Sequence, residues 1–248
     1  MSAMSGWRVA PGRCMLAPMT AAPLEATPSR PRLLYLHGFA SGTGSTKAVR
    51  FAQDLAARGV SLEVLDLEAG DFAGLTISRQ LALLDRVTAG APEASVLLLG
   101  SSLGGYVAAL QAARSPAVAG LVLMAPALDF HRRWCARLGA AVVAEWRRRG
   151  FMLVMHHGRG ELESIRASLI EDAALHPPFP EPRVPTLILH GAADEVVDAS
   201  GSEEWAAAHP DLIALELLPD ADHSLAAVVP YLLERSRAFL ARWVPELR

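Results

Sequence analysis

The sequence predicts an α/β fold, a doubly wound and mostly parallel sheet with a lid inserted over one end. Three observations carry that expectation. Six short runs, at 32–37, 62–67, 95–100, 120–125, 185–190 and 213–218, are rich in Leu, Val and Ile, and several are apolar throughout. Strands of a parallel sheet covered on both faces have that character. Helix-like segments at 46–58, 76–88, 103–114, 202–208 and 226–243 alternate with them, which implies right-handed crossovers. The stretch 128–182 then breaks the alternation and is too long for an ordinary crossover. A chain of 248 residues is ample for one such domain with a buried core.

Residues 1–30 are rich in Pro, Ala, Ser and Thr, the composition of a loose leader. Arg8 and Arg13 stand ahead of an apolar stretch, but Pro11, Pro18 and Pro23 interrupt any long hydrophobic region of a signal peptide. A cytoplasmic protein is expected, with its domain over 31–248. The first strand closes at His37-Gly38, and a Gly- and Ser-rich loop leads to the helix at 46–58. That loop resembles a phosphate-binding loop superficially. A Walker A motif needs Gly before Lys and Ser or Thr after it, whereas Lys47 lies between Thr46 and Ala48. No nucleotide site is expected.

Within 128–182, Phe130, Trp134, Leu138, Val142 and Trp146 recur every four residues, the stripe of an amphipathic helix. A short strand at 151–155, a turn at 156–160 and a second helix at 163–175 follow, and Pro177, Pro178, Pro180 and Pro182 end the excursion. The fifth run ends at His190 and the sixth leads to Asp220, Asp222 and His223.

Composition excludes several classes. The formal net charge is −3 and the charged fraction 20%, with a pI near 6.2 and a mean hydropathy of +0.26. These values rule out wholesale disorder and give no electrostatic reason to expect nucleic acid as partner. No run reaches the roughly 18 to 20 apolar residues of a membrane span. Cys14 and Cys135 cannot form a disulfide scaffold and lack metal-ligand spacing, so neither metal nor other cofactor is expected.

The chemistry concentrates at Gly100-Ser-Ser102-Leu-Gly104, which matches G-x-S-x-G. An apolar strand ends at Gly100 and a helix begins after Ser102, the strand–turn–helix setting of a nucleophile elbow. A serine hydroxyl needs a base to accept its proton. In this topology a carboxylate and then a histidine follow on loops after later strands. Asp194 lies after the strand ending at His190, and His223 lies between the last strand and the C-terminal helix. His223 is therefore expected as general base, with Asp194 fixing its tautomer. Asp198 reads better as a helix cap. Asp129 is the stronger rival, because it too follows a strand. Of eight histidines, His37 and His190 sit at strand ends and His156, His157 and His176 in the insertion, so only His223 occupies the required loop. The Leu103 amide should donate to the oxyanion, with a second amide from 37–42, at Phe39 or Ala40 and assigned to Phe39.

The strand-His37-Gly38-Phe39 element, Gly-Ser-Ser102-Leu-Gly-Gly, His-Gly-Ala-Ala-Asp194 and Asp-His223 together resemble the α/β-hydrolase superfamily. The similarity is greatest to its small, short-sheet serine esterases and acyl-thioesterases, including the YqiA-like group. It spans about 32–243 and implies an eight-stranded fold, trimmed at its start, with Ser102, Asp194 and His223 as triad. The activity implied is hydrolysis of carboxylic esters of small to medium acyl chains, with an acyl-thioesterase or protein deacylase, or a non-catalytic binding protein, as alternatives. Trp134, Trp146, Phe151 and Met155, with Met152 and Phe179, offer apolar surface for a small-molecule acyl substrate. The arginines at 132, 133, 137 and 147–149 read as a solvated helix face.

Overall fold

The computed structural model describes residues 30–248, so the leader expected over 1–30 lies, Arg30 apart, outside the described residues. Six parallel strands form the central sheet: β1 (Arg32–Leu36), β2 (Leu62–Leu65), β3 (Val96–Ser101), β4 (Val118–Met124), β7 (Thr186–Gly191) and β8 (Ile213–Leu218). Their order is β2-β1-β3-β4-β7-β8, with β3 in the interior of the sheet. The central runs β3, β4 and β7 are buried along their whole length, as their unbroken apolar sequence requires.

Helices cover both faces. α1 (Thr46–Ala56) turns Ala48, Phe51 and Leu55 onto one face of the sheet, where α8 (Val229–Leu240) joins it. The opposite face carries α2 (Ile77–Val87), α3 (Leu103–Arg114) and α7 (Ser200–Ala208). Ser45 caps α1 and Thr76 caps α2, each accepting from an amide three residues on. The helix expected at 226–243 begins as a 3₁₀ turn over Ala226–Val228 and ends at Leu240. Alternate strand residues, Leu34 and Leu36 against Leu33 and Tyr35, feed two separate cores.

The insertion differs from its expected form in two places. The predicted single helix is two, α4 (Phe130–Leu138) and α5 (Ala140–Arg149), because Gly139 at φ 82° ends the first. The second helix starts in a new phase, so Val143 is buried and Val142 exposed. β5 (Phe151–His156) pairs antiparallel with β6 (Glu161–Arg166), and only α6 (Ser168–Ala173) remains of the helix expected at 163–175. Glycines 158 and 160 close the hairpin between them, and the β6 backbone finds its hydrogen bonds on β5 rather than within a helix. The Tyr106 hydroxyl donates to Pro177 O at 2.7 Å, tying the end of the insertion to α3. The eight strands are thus a six-stranded sheet plus this hairpin.

Candidate active site

Ser102 lies between β3 and α3 with φ 52° and ψ −121°, a strained conformation for a residue with a side chain. Its surroundings hold it there. The Ser102 amide donates to Met124 O at 2.9 Å, and its carbonyl accepts from the amides of Gly105 and Ala127. The turn closes only because its flanks lack side chains. A Cβ on Gly100 would lie 2.6 Å from Gly104 O, and one on Gly104 would collide with the carbonyl oxygens of Leu36 and His37. The elbow of the G-x-S-x-G pattern therefore exists for steric reasons that its glycines announce.

Two loops at the carboxyl edge of the sheet bring partners to this serine. The loop after β8 places His223 Nε2 3.1 Å from Ser102 Oγ, and the loop after β7 places Asp194 Oδ2 2.7 Å from His223 Nδ1. A carboxylate can only accept, so Nδ1 donates and Nε2 faces the Ser102 hydroxyl as an acceptor. Asp194 is buried, and burial opposes its charge. Hydrogen bonds from His190, His223 and Val197 outweigh that effect and hold its pKa well below the usual carboxylate range. Asp194 Oδ1 accepts from the amides of Val196 and Val197, both at 2.8 Å, which locks the carboxylate in place.

The rival acids are elsewhere. Asp129 is buried and faces Arg132 and Arg133. Asp198 Oδ1 accepts from Ser200 N at 2.9 Å in the first turn of α7. The amides of Leu103, Phe39 and Ala40 have no hydrogen-bond acceptor among the described residues, and Phe39 lines the same cavities as Ser102. Gly38 lets their loop approach, since a Cβ there would lie 3.2 Å from Ser102 Cβ.

Of the four apolar residues expected to bind substrate, only Trp134 lines a cavity beside Ser102. Trp146 is buried in the core, where its Nε1 donates to Ile165 O at 2.9 Å. Phe151 and Met155 point outward from β5, where they alternate with the inward Met152 and Val154. Position on a two-faced strand, rather than apolar character, decides their orientation. The arginines at 132, 133 and 137 line the same cavity, whereas those at 147–149 are exposed.

Several residues of this region hold the site's loops without belonging to the Ser102–His223–Asp194 line. His190, four residues before Asp194, has Nδ1 2.8 Å from Ser202 Oγ and donates from Nε2 to Val197 O, with Asp194 Oδ2 3.3 Å from the same nitrogen. His37 donates from Nδ1 to Gly38 O and accepts from Leu67 N at Nε2, pinning the loop of Phe39. Burial lowers its pKa and favours this neutral form. Lys47 Nζ donates to Ser224 O at 2.8 Å, across 177 residues, and so braces the loop of His223. Only the i,i+4 spacing of His190 and Asp194 is visible in the sequence.

The sequence matches Uncharacterised protein family UPF0227 over residues 32–241. The chain belongs to that family. The fold of this UPF0227 member is similar to that of mouse alpha/beta hydrolase domain-containing protein 10, at 22% identity and a TM-score of 0.68, over 86% of this chain and 90% of that one. It is also similar to Est1E from Butyrivibrio proteoclasticus, solved with ferulic acid bound, at 19% identity and a TM-score of 0.66. That likeness covers 87% of this chain and 90% of Est1E. The esterase domain of a Rhodothermus marinus protein is a third, at 21% identity and a TM-score of 0.59, over 88% of this chain and 90% of that domain. No curated protein matches the chain significantly. These likenesses make the UPF0227 fold here that of an α/β hydrolase. Among the described residues no helix is long and apolar enough to cross a membrane, and no cluster of His, Cys, Asp and Glu is suited to a metal.

Proposed function

We propose that the protein is a serine hydrolase that cleaves carboxylic esters of small to medium acyl chains through an acyl-enzyme intermediate. The observation that carries this reading is the continuous hydrogen-bond line from Ser102 Oγ through His223 to Asp194. Ser102 Oγ attacks the ester carbon while its proton passes to His223 Nε2. The oxyanion that forms is met by the amides of Leu103 and Phe39, the first at the positive end of α3. Collapse breaks the carbon–alcohol bond, and the leaving oxygen takes the proton from Nε2. Water then attacks the acyl-enzyme, gives its proton to His223, and the Ser102 oxygen recovers it as the carboxylic acid departs. The buried Asp194 carboxylate stabilises the imidazolium in both halves.

The test is labelling with a fluorophosphonate together with turnover of nitrophenyl esters from acetyl to palmitoyl. Wild-type protein is expected to label at Ser102 and to turn over the shorter esters. Ser102→Ala is expected to lose both while keeping its circular dichroism spectrum. Full turnover by purified Ser102→Ala would sink the assignment.

A further inference from the structure

Two cavities meet at Ser102, and their walls differ. One, of about 770 Å³, has an apolar wall of Leu128, Phe130, Trp134 and Val197, together with Glu195, Asp198 and three arginines. Its arginines are engaged, Arg132 and Arg133 with Asp129 and Arg137 with Glu195 O. The other, of about 700 Å³, is lined by Ser41, Thr43, Ser45, Lys47, His157 and Arg159. Ser102 and Phe39 border both, but His223 borders only the second.

That asymmetry fixes the direction of the ester. When the tetrahedral intermediate collapses, the electron pair of the breaking carbon–oxygen bond goes to the alcohol oxygen, which takes the proton from His223 Nε2. The alcohol oxygen must then lie within hydrogen-bond reach of Nε2, on the side of the second cavity. The acyl chain is left with the first cavity and its apolar wall.

We propose that the second cavity receives the departing alcohol and that this alcohol is a polyol, rich in hydroxyl groups, rather than an alkyl chain. The proposal rests on the serine-hydrolase reading above. Lys47 is the only lysine of the chain, and among the described residues its ammonium has Ser224 O as its one hydrogen-bond partner. The remaining N–H groups need an acceptor once solvent is displaced, and an alkyl chain would leave them without one. Burial lowers its pKa to about 8, against the opposing charges of Asp194 and Asp222, so the group remains a cation near neutrality. A site that hydrogen-bonds a hydroxyl rejects an analogue lacking it far more strongly than an apolar pocket rejects a methylene.

The experiment compares kcat/KM for monobutyrylglycerol and hexyl butyrate, two esters with one acyl group. Wild-type protein is expected to favour the glycerol ester by about tenfold or more. Thr43→Leu, on an exposed side chain at the cavity wall, is expected to lower that ratio. Lys47→Met should lower it too, with hexyl butyrate as internal control for any disturbance of the Ser224 loop. Trp134→Ala is expected to change the preference between butyryl and octanoyl glycerol and to leave the alcohol ratio alone. Hydrolysis of both butyrates with a ratio near one would overturn this inference and leave the hydrolase reading standing. So would a ratio that moves with Trp134→Ala and not with Thr43→Leu. Absence of turnover and of fluorophosphonate labelling at Ser102 would remove both.

Discussion

Asp194 meets four amide or imidazole donors with two oxygens, so in the proposed mechanism a change of its charge is felt directly by His223. Asp194→Asn keeps the volume but presents an N–H where His223 needs an acceptor, and it favours the wrong tautomer of the base. A fall in kcat of about 10⁴-fold is the scale of the corresponding change in a serine-protease triad. Asp198→Asn and Asp129→Asn should stay within about tenfold of wild type, a difference of ~1.4 kcal/mol in barrier. Steady-state kinetics on one short ester decides among the three, and a crippled Asp129→Asn would move the acid to the earlier strand. The same carboxylate shapes the acid limb of stability. Its folded pKa is depressed, so its contribution is present above its ordinary value of 3.8 and is lost as the pH falls through the folded value. Thermal melts between about pH 5 and pH 3 should therefore fall less steeply for Asp194→Asn than for wild type. The meeting of Ser102, Asp194 and His223 is legible in the sequence because each lies on a loop that follows an apolar strand. Trp146, Phe151 and Met155 are not, because apolar character predicts contact with something without saying which wall.

The β5–β6 hairpin is the element whose role the sequence conceals. Its turn reaches the loop after β1, where the His157 amide donates to Ala40 O at 2.8 Å and Gly158 lies against Ser41. Beneath that contact His156 Nε2 lies 2.7 Å from Glu68 Oε1, both side chains buried, and Arg159 closes on the other carboxylate oxygen at 2.5 Å. The three groups come from segments some 90 residues apart, and nothing in the spacing of either segment announces the other. His156→Ala removes one partner and leaves a buried carboxylate partly unmet, which costs about 3–5 kcal/mol. Urea unfolding measures that loss. Since the turn also carries the bond to Ala40, kcat should drop together with stability, through the looser seat of the Phe39 amide. An unchanged kcat in the folded variant would separate the clamp from the loop of Phe39. The helices of the body are legible for the opposite reason. Their buried faces, such as Ala48, Phe51 and Leu55, repeat at three and four residues, and their caps are local. At Gly139 the same logic misleads, because one residue at positive φ resets the phase of a stripe that continues in the sequence.

At the scale of the whole molecule, the sheet order β2-β1-β3-β4-β7-β8 puts the three loops of the candidate site on one carboxyl edge, fed by strands far apart in the chain. β8 pairs with β7 alone, and β7 reaches β3 only through β4. Ser102 and His223 are 121 residues apart and the insertion lies between them. This order has a kinetic corollary. Contacts that close long loops form late in folding, because the chain loses the most freedom in making them. The relay from Ser102 to His223 thus depends on the docking of the last strand at the sheet's far edge. On dilution from denaturant, ester turnover should return after the fluorescence of Trp146 and Trp205, which report packing on either side of that event. Stopped-flow fluorescence read beside double-jump activity assays would show the delay, and simultaneous recovery would mean that the edge strand docks with the core rather than after it.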